Sequence, residues 1–177
     1  MVFRGFVVTK AVAVTLFLAW SALFMFAASR TYVADSEIWA MALAKNFGDL
    51  STDNISVWHK PLFYAVLHPI YWFASHNVYF ASRLLMALVG IGIVLLTAHI
   101  SHQVFQNRLW TILTMVLVMT TSYFFQQAFR IRADVLAIFF HLIFLTHLIN
   151  VFQRLPAPAN RSAYWLLFGS MVATLLT

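Results

Sequence analysis

Long stretches without a charged residue constrain this chain more than any other feature of its sequence. One of them, residues 84–107, lies between Arg83 and Arg108, and others of similar length occur elsewhere. A helix that spans the hydrocarbon core of a bilayer needs about 20 apolar residues. Lipid offers the backbone no hydrogen bonds, so uncharged runs without two-residue alternation are expected to be helical. The sequence therefore predicts an all-α, polytopic membrane protein.

The composition excludes several other classes of protein. Of the 177 residues, 63% are hydrophobic and 9% are charged, whereas soluble domains carry about 25% charged residues. This excludes a soluble domain, a nucleic-acid binder of the usual basic kind and a disordered tail. The eleven Lys and Arg residues form no long run, which suits loop ends beside anionic head groups. Cysteine is absent, so thiolate chemistry and disulfides are excluded as well.

The charge pattern predicts four complete transmembrane helices and part of a fifth in a single membrane domain. The N-terminal apolar run has no clear small-x-small cleavage site, so we expect a retained helix rather than a signal peptide. In the second span, Gly90 and Gly92 are expected to allow close helix packing. The predicted spans are residues 9–29, 83–103, 109–128, 135–152 and, in part, 163–177.

A long outer loop, residues 30–82, is predicted between the first two spans. Its second half is uncharged from Pro61 to Ser82, but Pro61 and Pro69 interrupt it and aromatic residues are frequent. Prolines remove backbone hydrogen bonds, and Trp and Tyr collect at membrane interfaces. We therefore expect one or two helices that lie along the membrane surface.

The acidic residues indicate an orientation for the chain, although Lys and Arg barely favour either one. If the helices of the outer loop lie along the membrane surface and do not cross it, every Asp and Glu falls on the same side of the membrane. We expect a cytoplasmic N-terminus and a periplasmic outer loop in a bacterial inner (plasma) membrane. The acidic residues are Asp35, Glu37, Asp49, Asp53 and Asp134.

Two acidic residues that follow the first span are candidates for chemistry. Asp35 and Glu37 open the segment 38–47, whose apolar residues repeat with helical spacing. Asp35 could cap this helix and Glu37 could favour its first turn. Alternatively, a carboxylate at this position could act as a general base.

A second group of polar residues lies between the third and fourth predicted spans. Arg130, Arg132 and Asp134 alternate with apolar residues in this short connection. One interpretation is a charged loop in which Asp134 caps the following helix. The other is a phosphate clamp, in which two arginines grip a phosphoryl group and the carboxylate orients them.

A third candidate is the pair His59 and Lys60, which precedes Pro61. Lys60 could extend towards the membrane interface, as lysine side chains commonly do. Its position beside a proline-fixed turn would equally suit contact with an anionic head group.

Histidines in the predicted spans allow a different class of function, a haem- or quinone-binding redox subunit. His99, His141 and His147 are the candidate ligands, because a histidine in a membrane helix is a functional candidate by default. Only His99 and His102 have the spacing of a helical metal-ligand pair. We expect no haem and no metal-ligand set in this chain. Walker, G-x-S-x-G and dinucleotide motifs are absent from the sequence.

Four short motifs follow one another in a distinctive order. They are Asp35-Ser36-Glu37-Ile38-Trp39-Ala40-Met41-Ala42-Leu43-Ala44, Lys60-Pro61-Leu62-Phe63-Tyr64, Ala81-Ser82-Arg83-Leu84 and Arg130-Ile131-Arg132-Ala133-Asp134. This order resembles the N-terminal part of the C-fold membrane glycosyltransferases, which are related to protein O-mannosyltransferases and lipid A aminoarabinose transferases. Many relatives have two adjacent acids where Ser36 separates them here, and Leu62 stands where a second proline is frequent.

The resemblance implies transfer of a sugar from a polyprenyl-phosphate donor to an acceptor at the outer face of the membrane. It implies that Asp35 is the catalytic carboxylate of the first loop, with Glu37 in the second acidic position. Asp134 matches a catalytic aspartate in the second outer loop. The residues expected to bind the phosphate are Lys60, Arg130, Arg132 and His59. Whether the reaction uses a divalent metal as a cofactor is left open by the resemblance.

Relatives have more helices and often a soluble C-terminal domain, whereas this chain stops within the predicted fifth span. We therefore expect a fragment or a short paralogue without a complete active site of its own. A non-catalytic membrane subunit is the alternative, since eighteen Phe residues suit helices that pack against a membrane partner. Neither hypothesis includes a nucleic-acid partner.

Overall fold

The regular structure of the described residues is helical. The computed structural model describes residues 10–30, 35–47, 60–153 and 161–177, and within these ranges it contains no strand. The all-α prediction is confirmed for them. In chain order the helices are α1 (Lys10–Arg30), α2 (Asp35–Lys45), α3 (Pro61–Leu67), α4 (Ile70–Phe73), α5 (Val78–Phe105), α6 (Arg108–Thr120), α7 (Ser122–Gln127), α8 (Ala133–Gln153) and α9 (Arg161–Leu176).

Two of these helices are long and apolar enough to cross a membrane by themselves. They are α5, with 28 residues, and α8, with 21 residues. A third candidate combines Val14–Arg30 with α2, two segments that meet at an angle of 84°. The described part of the chain thus contains two to three candidate membrane spans, as expected of a helical membrane protein. The prediction of four complete spans is not confirmed.

The third predicted span, residues 109–128, forms two helices instead of one. Helix α6 has 13 residues, a length of about 20 Å, whereas the hydrocarbon core is about 30 Å thick. The break lies at Thr121, whose backbone is extended with ψ 113°. The hydroxyls of Thr120 and Thr121 both bond to carbonyls of the preceding turn. Side chains of this type compete with the helical backbone for its acceptors and favour such breaks.

The aromatic segment before α5 forms short helices, as the prolines predict. Pro61 occupies the first turn of α3 and Pro69 precedes α4, positions where a missing N–H costs little. Helix α5 then begins at Val78, before the predicted start of the second span at residue 83. The Tyr71 hydroxyl donates to the Met41 carbonyl at 2.5 Å, and this bond joins α4 to α2.

Helix α5 lies at the centre of the fold and packs against α1, α6 and α8. Its two glycines permit this packing, which confirms the expectation from the sequence. A Cβ atom on Gly92 would lie 2.7 Å from Cε2 of Phe139, and one on Gly90 would lie 3.1 Å from Phe24. Larger residues at these positions would force the helices apart.

Two apolar cores flank α5. The first joins α1 to α5 and α7 around Phe24, which is fully buried and stacks on Trp20 at a centroid distance of 4.8 Å. The second lies at the end where α5 begins, and α2, α3, α5 and the start of α8 contribute to it. Its largest fully buried apolar residues are Met41, Phe63, Leu67, Met86 and Ile131. This second core supports the candidate site.

Candidate functional site

A cavity of about 410 Å³ opens between α2, α3 and the start of α8. Four polar residues line it and come from three separate parts of the chain: Ser36, Lys60, Arg132 and Asp134. The rest of the wall is apolar or aromatic and consists of Trp39, Ala40, Leu43, Phe63, Tyr64, Ile131 and Ala133. We refer to this space as the polar cavity. It brings the Lys60 motif and the Arg132–Asp134 motif of the sequence to one place.

The charges in the polar cavity form a connected group. Asp134 accepts a hydrogen bond from Arg132 Nη2 at 2.6 Å, and its other oxygen lies 3.8 Å from Lys60 Nζ. These side chains are between 39% and 50% exposed, so water screens the ion pairs and each contributes little to stability. Two cations and one carboxylate leave an excess of one positive charge, which favours an anionic ligand.

A second, apolar pocket of about 130 Å³ adjoins the polar cavity. Arg132 and Asp134 belong to the walls of both spaces. The Arg132 guanidinium also donates to Gln127 Oε1 at 3.3 Å, and this bond ties it to the end of α7. The other residues of the apolar pocket are Ile93, Thr121, Tyr123, Phe124, Ala128, Val135 and Ile138. One arginine–carboxylate pair therefore separates a polar space from an apolar one.

Glu37 has a different environment from the other predicted site residues. Its side chain is fully buried and forms a two-point ion pair with Arg83, at 3.0 Å from Nε and 2.5 Å from Nη2. The same carboxylate accepts a hydrogen bond from the Ile131 N–H at 3.1 Å. Glu37 does not belong to the wall of the polar cavity. The prediction that Glu37 is catalytic therefore gains no geometric support.

Asp35 lies in the first turn of α2, is exposed, and precedes Ser36 of the cavity wall. Arg130 lines neither space, and its buried Nε atom makes no hydrogen bond to any residue that the structure describes. His59 lies outside the described residues. The structure thus brings together Lys60, Arg132 and Asp134, whereas Asp35 is not part of the cavity wall.

The three aromatic residues of the cavity wall, Trp39, Phe63 and Tyr64, were not singled out as site residues from the sequence. Trp39 is 70% exposed. Tyr64 is buried, and burial raises the pKa of its hydroxyl, so the group stays a neutral hydrogen-bond donor at physiological pH. Only their sequence proximity to Asp35 and Lys60 could have indicated them.

The histidines of the membrane helices form no ligand set in the part of the chain that the structure describes. No group of three or more His, Cys, Asp or Glu residues there could hold a metal ion. His99 and His141 are exposed, and His102 Nδ1 lies 3.5 Å from the Thr111 hydroxyl.

Comparisons with family models, with curated proteins and with solved structures find no match to this chain. The likeness of its motifs to the C-fold glycosyltransferases stays a prediction. What the chain does must therefore be inferred from the geometry of the polar cavity and its neighbour.

Proposed function

We propose that this chain takes part in the transfer of a sugar from a polyprenyl-phosphate donor, in the manner of C-fold membrane glycosyltransferases. One observation carries the proposal: Arg132 and Asp134 lie on the boundary between the polar cavity and the apolar pocket. A lipid phosphate has the same division, with a charged group joined to an apolar chain. The motif order of the sequence adds support from the resemblance.

In this proposal the donor's phosphate lies against Arg132 and Lys60. Guanidinium groups bind phosphate oxygens through paired hydrogen bonds, and the ammonium of Lys60, which also lines the cavity, adds a second positive charge. Asp134 orients both cations, since its two oxygens face one each. The apolar pocket then receives the first part of the isoprenoid chain, because exposure of this apolar chain to water is unfavourable.

The reaction replaces one bond at the anomeric carbon of the sugar by another. The acceptor's oxygen forms a bond to this carbon while the bond to the phosphate oxygen breaks. The acceptor's proton passes to the carboxylate of Asp35, which acts as general base. The electron pair of the broken bond stays on the lipid phosphate, whose added negative charge Arg132 and Lys60 stabilise.

The proposed membrane topology has the polar cavity on the periplasmic face of a bacterial inner membrane. Helices α6 and α7 together cross as one broken span, and α9 begins a further one. Because Ser36 and Asp134 line the same cavity, Asp35 and Asp134 are proposed to share a compartment.

Cysteine labelling tests this topology directly, because the natural chain contains no cysteine. Single cysteines at positions 35 and 134 should react with an impermeant maleimide from the periplasmic side. A cysteine at Gln106, between α5 and α6, should react only from the cytoplasmic side. Labelling of positions 35 and 134 from opposite sides would exclude the proposed site.

Ligand binding provides a second test, with undecaprenyl phosphate and undecaprenol as matched probes. We expect native mass spectrometry of the purified chain to show a preference for the phosphate. Arg132→Gln should weaken this binding by about tenfold or more, since hydrogen bonds to charged groups contribute about 1.5–3 kcal/mol. Arg108→Gln removes an exposed arginine at the start of α6 that does not line the polar cavity, and it serves as the control. Equal binding of both lipids would contradict the proposal.

Sugar transfer tests the role of Asp35. In membranes that contain the full complement of partners, Asp35→Asn should abolish transfer from an undecaprenyl-phosphate-linked sugar while the protein still accumulates. The alternative, a non-catalytic membrane subunit, predicts normal function of this variant and a partner that co-purifies in stoichiometric amount.

A further inference from the structure

The buried carboxylate of Glu37 joins three parts of the fold at one point. Glu37 belongs to α2, Arg83 to α5, and Ile131 to the connection between α7 and α8. One oxygen, Oε1, accepts from both Arg83 Nε, at 3.0 Å, and the Ile131 N–H, at 3.1 Å. The other oxygen faces Arg83 Nη2 at 2.5 Å. A single side chain therefore links the connection before α8 to two other helices.

All three residues of this contact are buried, so their polar groups must find hydrogen-bond partners within the protein. Glu37 is 0% exposed, Arg83 is 4% exposed and Ile131 is 1% exposed. A buried carboxylate needs a paired cation, and a buried backbone N–H needs an acceptor, because neither can be compensated by water. Loss of the Glu37 carboxylate would leave both the Arg83 guanidinium and the Ile131 N–H without this partner.

The residues that follow the anchored N–H are those of the proposed phosphate site. Arg132 comes directly after Ile131, and Ala133 is buried and begins α8. Asp134 then lies in the first turn of α8. With Ile131 and Ala133 both held in the core, the backbone between them has little freedom, and the Arg132 side chain is directed to the cavity.

We propose that Glu37 is a positioning residue, which holds the connection at Ile131 so that Arg132, oriented by Asp134, faces a lipid phosphate. This inference rests on the proposed function and assigns Glu37 a role other than proton transfer. Displacement of a binding group by about 1 Å can reduce a rate a hundredfold. An anchor one residue away from Arg132 therefore has a direct effect on ligand binding.

Two double variants separate positioning from simple stability. E37Q/R83M keeps an amide oxygen that can accept from the Ile131 N–H, whereas E37M/R83M has no acceptor there. Both remove the buried ion pair as a unit, a change that proteins often tolerate without loss of stability. We expect both to accumulate, and we expect E37M/R83M to bind undecaprenyl phosphate about tenfold more weakly than E37Q/R83M.

Hydrogen exchange provides a readout that does not depend on the ligand. In the natural protein the Ile131 amide should exchange slowly, and peptides that contain it should exchange faster in E37M/R83M than in E37Q/R83M. Rapid exchange of this amide in the natural protein would overturn the inference, even if neither double variant accumulates.

The outcomes distinguish this inference from the proposed function. If the natural chain prefers the phosphate lipid but both double variants bind it equally well, Glu37 is not a positioning residue. If the natural chain shows no preference for the phosphate over undecaprenol, the proposed function fails. The exchange comparison then still decides whether Glu37 holds the connection at Ile131.

Discussion

The Lys60 ammonium lies 3.8 Å from Oδ1 of Asp134, although the two residues belong to distant parts of the chain. The contact joins the start of α3 to the first turn of α8 in the wall of the polar cavity. Arg132 donates a hydrogen bond to the other oxygen of Asp134, so one carboxylate contacts both cations. An incoming phosphate would find the two positive groups already oriented, and this arrangement favours binding by preorganisation.

Lys60→Gln is expected to weaken the binding of undecaprenyl phosphate by about fivefold, a modest effect because Lys60 is half exposed and its charge is screened. The matched control is Lys45→Gln. Lys45 is an exposed lysine in the last turn of α2 and does not line the polar cavity. Native mass spectrometry with a titrated lipid measures the difference. An equal loss in both variants would mean that general surface charge, and not the cavity, attracts the lipid.

Trp39→Ala should weaken the binding of an undecaprenyl-phosphate-linked sugar by about two- to tenfold. The indole of Trp39 lines the polar cavity and is 70% exposed, and stacked aromatic contacts contribute about 0.5–1.5 kcal/mol. Trp72 is 72% exposed but lies outside the cavity wall, so Trp72→Ala is the control. Should both changes have the same effect, Trp39 acts as an interfacial anchor only.

Phe24→Ala should destabilise the fold strongly. Phe24 is fully buried between α1, α5 and α7 and stacks on Trp20, and removal of a buried Phe side chain costs about 3–5 kcal/mol. Phe152→Ala removes the same side chain from a position that is 64% exposed and should change little. Thermal denaturation followed by fluorescence-detected size-exclusion chromatography measures both variants. Equal midpoints would show that α1 does not pack on α5 as described.

Alkaline pH is expected to loosen the contact between α4 and α2. Burial, with a smaller contribution from Tyr79, raises the pKa of Tyr71 above 10.0 in the folded protein. A raised pKa means that this group stabilises the fold fully below pH 10 and that the contribution is lost as the pH rises through the folded pKa.

Tyr71→Phe tests this pH dependence. The change removes the hydrogen bond to the Met41 carbonyl, so the variant should be less stable at pH 8 and should lose less stability between pH 8 and 11. Burial also raises the pKa of Tyr64, so the Tyr71→Phe variant should retain part of the loss of stability at alkaline pH. Tyr123 is 69% exposed, and Tyr123→Phe should behave like the natural chain at both pH values. A natural chain with constant stability over this range would contradict the prediction.

The apolar pattern predicted α5 and α8 well because a helix in lipid needs only length and the absence of charge. The same rule placed a span at residues 109–128, where the structure has a break at Thr121. That break depends on local hydroxyl–carbonyl competition, which hydropathy does not measure. The start of α5 at Val78 was also beyond the pattern, because the charge of Arg83 marked the predicted start of the span, whereas the helix runs through Arg83.

Charge and hydropathy along the chain determined by themselves that this is a helical membrane protein with candidate charged residues near the ends of its apolar runs. Tertiary structure alone decided which of those charges meet. From the sequence, Glu37 could pair with any of several arginines, and it is the tertiary structure that places Arg83 of α5 beside it. The physical reason is that membrane burial is a property of each segment, whereas an ion pair depends on the distance between segments.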